Sequence, residues 1–117
     1  MRIGVVFDEQ MLLHRKYRDS HPERPERIMA IYLNLVKKGL FSQLVEIDSD
    51  IASEEDLLLV HKPLHIRHVK TDAENLKHKQ NLITDQADTY MNKHTAQAAL
   101  ISCGSTIEAV SFVCSQM

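Results

Sequence analysis

The densest chemistry in this chain lies in ten consecutive residues, Asp19-Ser20-His21-Pro22-Glu23-Arg24-Pro25-Glu26-Arg27-Ile28. An imidazole, three carboxylates and two guanidinium groups are interleaved with two prolines. A proline in a first helical turn is tolerated because its missing N–H would have no partner there. Glu23 and Glu26 fall where the positive end of a helix dipole favours negative charge. The segment therefore reads as a polar loop with a fixed exit into a helix. His21 and Arg27 gain fixed directions, which is how a chain builds one wall of a site. Asp19-Ser20-His21 also has the Asp-x-His spacing of a metal-ligand pair. It follows no buried strand, so the spacing is taken as coincidental.

Other groupings carry weaker chemistry. His61, His65 and His68 stand at i, i+4 and i+7, and one helix face could present all of them to a metal. Pro63 interrupts that face, and no carboxylate completes the set before Asp72, so a half-exposed polar face is the expected reading. Asp48-Ser49-Asp50 follows an apolar run directly and reads as a turn. Lys77-His78-Lys79 is too small a basic cluster to imply nucleic acid. Cys103 and Cys114 lie in an apolar helical pattern and read as buried, inert thiols of a reducing compartment.

The chain has 117 residues and a formal charge of −2. That is enough for one small domain, and the mixed charge argues against a nucleic-acid-binding face. No signal peptide and no membrane span is read. Low aromatic content and the absence of Trp weigh against a carbohydrate or aromatic-cage binder.

The elements that must position these residues follow from apolar spacing. Ile3–Phe7 is a short β-branched run, expected as a strand buried on both faces. Residues 8–23 read as a long ordered loop, of a length that often signals function. Ile28, Ile31, Tyr32, Leu35 and Val36 recur at helical spacing and predict a helix over 24–38, ended by Gly39. Leu44–Ile47 predicts a second strand. Ser53 caps a helix with Asp56 at the capping-box position. Pro63 marks a break, or the first turn of a further helix reaching about Leu82. Residues 84–92 read as a polar loop. The segment 94–113 predicts a helix apolar on most sides, buried on more than one. The order implies an α/β domain that is incomplete.

These residues resemble the N-terminal part of a zinc-dependent histone deacetylase domain of the class II type. The likeness runs through Gly4-Val5-Val6-Phe7-Asp8-Glu9-Gln10-Met11, His21-Pro22-Glu23-Arg24-Pro25-Glu26-Arg27-Ile28 and Leu58-Leu59-Val60-His61. It resumes at Asp88-Thr89-Tyr90 and continues into Ala98-Ala99-Leu100 and Gly104. The proline- and arginine-bearing segment is the specific part; the others count through their order.

The resemblance implies an arginase/deacetylase-like fold, with a parallel sheet flanked by helices and ligands bound at the strands' carboxyl ends. It implies hydrolysis of an N-acetyl-lysine amide with zinc, a general-base histidine and an oxyanion stabiliser. It carries substrate-binding roles onto His21 and Pro22 at the tunnel border. Asp88 matches a rim carboxylate that accepts the substrate backbone N–H, and Thr89 a neighbouring hydroxyl. Arg27 matches a residue lining the internal channel. The family's His-His pair, Asp-x-His and Asp ligands have no counterpart in residues 1–117, so no catalytic or metal-binding residue is assigned.

The expectation is thus an incomplete deacetylase-like domain, inactive alone and binding no zinc by itself. Its family partners are acetylated proteins, histone or otherwise, with a role in chromatin regulation. No direct nucleic acid or membrane contact is expected, and an intracellular place in cytoplasm or nucleus is. Each residue keeps a plainer alternative. Arg27 reads equally from the residues as a solvated helix position paired with Glu23, His21 as a histidine bonded to loop backbone, and Asp88 as a turn carboxylate. The rival for the whole chain is a non-catalytic α/β interaction module that self-associates through exposed core.

Overall fold

Strand β1 (Gly4–Val5) runs parallel to β2 (Val45–Glu46), with Gly4 opposite Val45 and Val5 opposite Glu46. The Val45 N–H donates to the Ile3 carbonyl at 2.9 Å and the Ile47 N–H to the Val5 carbonyl at 2.8 Å. Parallel pairing demands a crossover, and helix α1 (Glu26–Lys37) lies within it. The computed structural model describes residues 2–16, 21–77, 84–86 and 88–117.

Helix α1 begins at Glu26, two residues later than the apolar spacing predicts. The reason is Pro25, which disfavours helical backbone at the residue before it. Arg24 is therefore left in the loop with Glu23. At the other end Gly39 takes φ +67°, donating to the Val36 carbonyl at 2.9 Å, while Leu40 donates to Leu35 at 3.0 Å. This reciprocal pair closes the helix and needs the left-handed residue that glycine supplies. Ile28, Tyr32 and Leu35 form the inward stripe. Tyr32 stacks on Phe7 at 4.8 Å between centroids and meets Phe41 edge-on at 5.0 Å. Ile31 and Val36, expected on this stripe, are exposed.

Helix α2 (Glu54–Leu58) is opened by the expected capping box: Asp56 N–H donates to Ser53 Oγ at 3.1 Å, and Ser53 N–H to Asp56 Oδ2 at 2.9 Å. Pro63 starts helix α3 (Pro63–Lys77), which buries Ile66, Ala73 and Leu76. The expected extension to Leu82 lies outside the described residues.

The polar segment expected as a loop instead contains a hairpin. Strands β3 (Thr84–Gln86) and β4 (Thr89–Met91) pair antiparallel, Asp85 opposite Tyr90. Helix α4 (Thr95–Ser115) follows, burying Ala98, Ile101, Gly104 and Ser105. The Ala52 N–H donates to the Leu100 carbonyl at 3.1 Å. A Cβ on Gly104 would collide with the Asp50 carbonyl and stand 2.6 Å from the Ala52 nitrogen. Only glycine lets the 50–52 backbone lie so close.

Two expectations about α4 are corrected. Cys103 is half-buried, and Cys114 is exposed in the last turns of the helix, beyond Phe112, which reaches β1. By length and composition α4 is also long and apolar enough to cross a membrane, where the sequence reading saw no such segment. In this fold it packs against the turn after β1, against β1 itself and against α3.

Candidate functional site

The carboxyl ends of both parallel strands lead into the site. Asp8, after β1, accepts the Gln10 N–H at 2.9 Å and the hydroxyl of Ser49, which follows β2. The Ser49 hydroxyl, then the Gln10 N–H, hold the Asp8 carboxyl below its ordinary value of 3.8. Asp8 thereby caps a 3-10 turn, Glu9–Leu13, that delivers His14.

His14 is the centre of a polar cluster. Its ring stacks on Tyr90, with centroids 4.6 Å apart and planes 4° from parallel. Its Nδ1 lies 2.8 Å from Thr95 Oγ1 and its Nε2 lies 2.9 Å from Glu23 Oε1. Tyr90, 2% exposed, donates its hydroxyl to the Glu23 carbonyl at 3.0 Å, with the His14 carbonyl at 3.4 Å. The Lys16 N–H donates to the same hydroxyl oxygen. Burial pushes the Tyr90 hydroxyl above its ordinary value of 10.0, and the Glu23 and Glu26 carboxylates add to the shift.

Asn92 is the second fastening. Its amide donates to the carbonyls of Leu13 at 2.8 Å and Arg15 at 3.0 Å, while its Oδ1 accepts the His94 N–H at 2.8 Å. His94 itself is pushed below its ordinary 6.5, by burial first and then by Lys93. Beside this cluster runs an open groove of about 410 Å³, walled by Met11, Ile28, Tyr90, Met91 and Ala98, with Thr89 and Glu23 at its sides.

The expected site residues fall unevenly around the groove. The His21 ring meets Tyr90 edge-on at 5.1 Å, and its Nδ1 accepts the Glu23 N–H at 3.1 Å. It thus makes the plain loop-backbone bond and also touches the cluster. Pro22 is exposed. Asp88 occupies the exposed turn before β4, and Thr89 is the strand's exposed first residue. Tyr90 brings His21 to this strand. Among the described residues Arg27 is exposed, about 100° round the helix from the inward residue Ile28. Glu23, offered as its ion-pair partner, bonds His14 instead.

His14, Tyr90, Asn92 and Thr95 were not singled out by sequence reasoning. The signal available was the alternation in β4, which sets Tyr90 inward between exposed Thr89 and half-buried Met91.

A zinc hydrolase needs about three protein ligands and an open position. Among the described residues, no three His, Cys, Asp or Glu side chains gather to hold a metal ion. His61 and His65 have ring centroids 5.1 Å apart, without a third ligand among those residues. Asp19 of the Asp-x-His spacing, and His78 and Lys79 of the basic cluster, lie outside them. The residues described here therefore do not fit the family's metal.

Comparison with known proteins agrees with this arrangement. The histone deacetylase domain matches residues 21–117. Histone deacetylase 15 of Arabidopsis thaliana is 35% identical over 105 residues, covering 86% of this chain and 18% of the relative. Histone deacetylase HDA1 of Candida albicans is 30% identical, covering 93% of this chain and 16% of the relative. A probable deacetylase of Archaeoglobus fulgidus is 31% identical, covering 97% and 30%. The crystal structure of the HDA15 HD domain superposes with a TM-score of 0.78 at 32% identity, over 89% of this chain and 29% of that one. The chain thus spans under a fifth of the length of the first two relatives. With its small parallel sheet, its helices and its match over most of its length, the chain belongs to the histone deacetylase family, in the company of class II relatives.

Proposed function

We propose that this chain forms the mouth and one wall of an N-acetyl-lysine amide hydrolase site. The observation that carries the reading is Tyr90, which fastens the 21–25 loop to the strand that bears Thr89 and directly follows Asp88. In this reading the Asp88 carboxylate accepts a backbone N–H of the acetylated protein, a task that favours a charged acceptor. The Thr89 hydroxyl accepts the lysine-side N–H, and His21 with Pro22 borders the opening. Arg27 faces a channel whose remaining walls lie outside residues 1–117. Zinc supplies Lewis-acid activation in the family, and the hydrolytic step belongs to parts of the domain that these residues do not furnish. The substrate is an acetylated protein, histone or non-histone, in cytoplasm or nucleus.

The test is titration of an acetyl-lysine peptide into the isotopically labelled chain. Amide shifts concentrated at His21, Asp88 and Thr89, without hydrolysis when zinc is added, are expected. Shifts elsewhere only would overturn the mouth assignment, and turnover exceeding that of His21→Ala would overturn the inactivity.

A second reading, self-association, is favoured by Leu59 and Val60, which are 83% and 80% exposed, and by the exposed Ile107, Val110 and Val113 on α4. Apolar surface of this kind marks contact faces. Light scattering after size exclusion decides it: a monomer at all concentrations excludes it.

A further inference from the structure

Glu23 is held at every polar group it owns. Its carboxylate meets His14 Nε2 at 2.9 Å, its carbonyl accepts the Tyr90 hydroxyl at 3.0 Å, and its N–H donates to His21 Nδ1 at 3.1 Å. It stands in a loop between two prolines, where no helix or sheet ladder orders the chain. Something other than regular structure must fix this loop, and the first of these contacts ties it, through the His14 ring, to Thr95 at the start of α4.

We infer that His14 is the positioning residue of the mouth, an imidazole clasped between Thr95 and Glu23 that fixes the 21–25 loop over Tyr90. The hydrogen bonds set its proton. Thr95 Oγ1 already accepts the Asn92 N–H at 2.8 Å. Its hydroxyl proton has two acceptors within reach, His14 Nδ1 at 2.8 Å and Asn92 Oδ1 at 3.3 Å. The shorter contact makes the stronger bond. In the singly protonated ring His14 Nδ1 then accepts, the proton sits on Nε2, and Nε2–H donates to the Glu23 carboxylate. A bond to a charged acceptor is roughly twice as strong as a neutral one. The Tyr90 face beneath the ring blocks rotation out of this plane. The clasp thus joins the 3-10 turn, the 21–25 loop and the start of α4.

The effect on peptide binding rests on the proposed function; the ordering of the loop does not. His14→Phe keeps a ring on Tyr90 and removes both bonds. The amides of His21, Glu23 and Arg24 should then lose order in NMR relaxation. Affinity for an acetyl-lysine peptide should fall about tenfold, the equivalent of one charge-assisted bond. Glu23→Gln keeps an uncharged acceptor and should show the same changes in weaker form. In the unaltered chain, the ring-nitrogen spectrum of His14 should show protonated Nε2 and bare Nδ1, a signature that packing alone does not impose. The inference fails if the loop amides keep their order in His14→Phe, or if the proton sits on Nδ1. It also fails if peptide affinity is unchanged in the variant. Should His14→Phe not fold, an unaltered loop in Glu23→Gln is equally fatal. If the loop loosens as stated but the unaltered chain binds no peptide, the clasp stands and the functional reading falls.

Discussion

Tyr90→Phe removes a single oxygen from the most connected point of the site. The ring is 2% exposed and stays in place, so its stack on His14 and its edge contact with His21 survive and no large void opens. What is lost is the donor to the Glu23 carbonyl at 3.0 Å and the acceptor for the Lys16 N–H. A net hydrogen bond contributes about 1 kcal/mol, and a group left buried without a partner costs about 1–3 kcal/mol. Glu23 is exposed, so water can reach its carbonyl, whereas Lys16 is half-buried. The sum is a destabilisation of about 2 kcal/mol. Urea unfolding followed by circular dichroism should show a lowered midpoint with an unchanged slope. The Lys16 amide should exchange faster than in the parent. There is also a pH signature. The Tyr90 hydroxyl is raised above 10.0 in the fold, so the stability it lends is complete below that value. That stability declines as pH climbs through the raised value, because the folded state then holds the proton that the unfolded state has released. The phenylalanine variant has no proton to lose at this position, so the difference between the two proteins should shrink in alkali. A loss below about 0.5 kcal/mol, the level of an ordinary surface change, with Lys16 exchange unaltered, would refute the account of Tyr90 as a backbone fastening.

Other consequences follow from the same geometry. Gly104→Ala should cost about 3 kcal/mol in chemical unfolding, since its Cβ would collide with backbone at Asp50 and Ala52 rather than with a movable side chain. Gly39→Ala should cost only about 1 kcal/mol, the strain of φ +67°, because nothing lies within 4 Å of the added carbon. Asp8 and Asp56 are both lowered from 3.8 by their serine partners, so their contribution is complete above that value and is lost as pH falls through the lowered ones. Ser49→Ala should therefore flatten the acid limb of stability against pH, measured by urea midpoints.

The sequence made the helices legible where a local rule decides alone. Gly39 and the Ser53–Asp56 box announce α1's end and α2's start by chemistry contained within a few residues, and both appear as expected. Pro25 was legible too, but its effect on Arg24 outweighed the apolar spacing and moved the helix start. The site was half legible. The loop from His21, with Asp88 and Thr89, stood out by composition and by family likeness. His14, Asn92 and Thr95 did not, because their partners lie far away in sequence, from Leu13 to Asn92 and from His14 to Thr95. No period or spacing encodes a bond of that kind. The hairpin was hidden for a related reason: three-residue strands are too short for alternation to stand out, and Thr84-Asp85-Gln86 is polar throughout. Arg27 is the opposite case, where likeness alone points to a channel role and the described residues leave the side chain exposed.

A long irregular segment beside a core faces a strict requirement: its carbonyls must find donors, because no ladder provides them. In this chain two side chains meet it. Tyr90 serves Glu23 and reaches toward His14; Asn92 serves Leu13 and Arg15. They stand two residues apart, and in extended backbone that spacing puts both on one face. Both are buried, at 2% and 3% exposure, with exposed or half-exposed residues on either side. Strand β4 and its exit therefore act as a template that reads the loop's backbone, while the loop's own His14 and Glu23 side chains fasten to each other. The same strand carries Thr89 on its exposed side, with Asp88 in the exposed turn before it. One short element thus sets the position of both halves of the groove's mouth: its buried residues fasten the loop, and Thr89 on its exposed side stands at the groove.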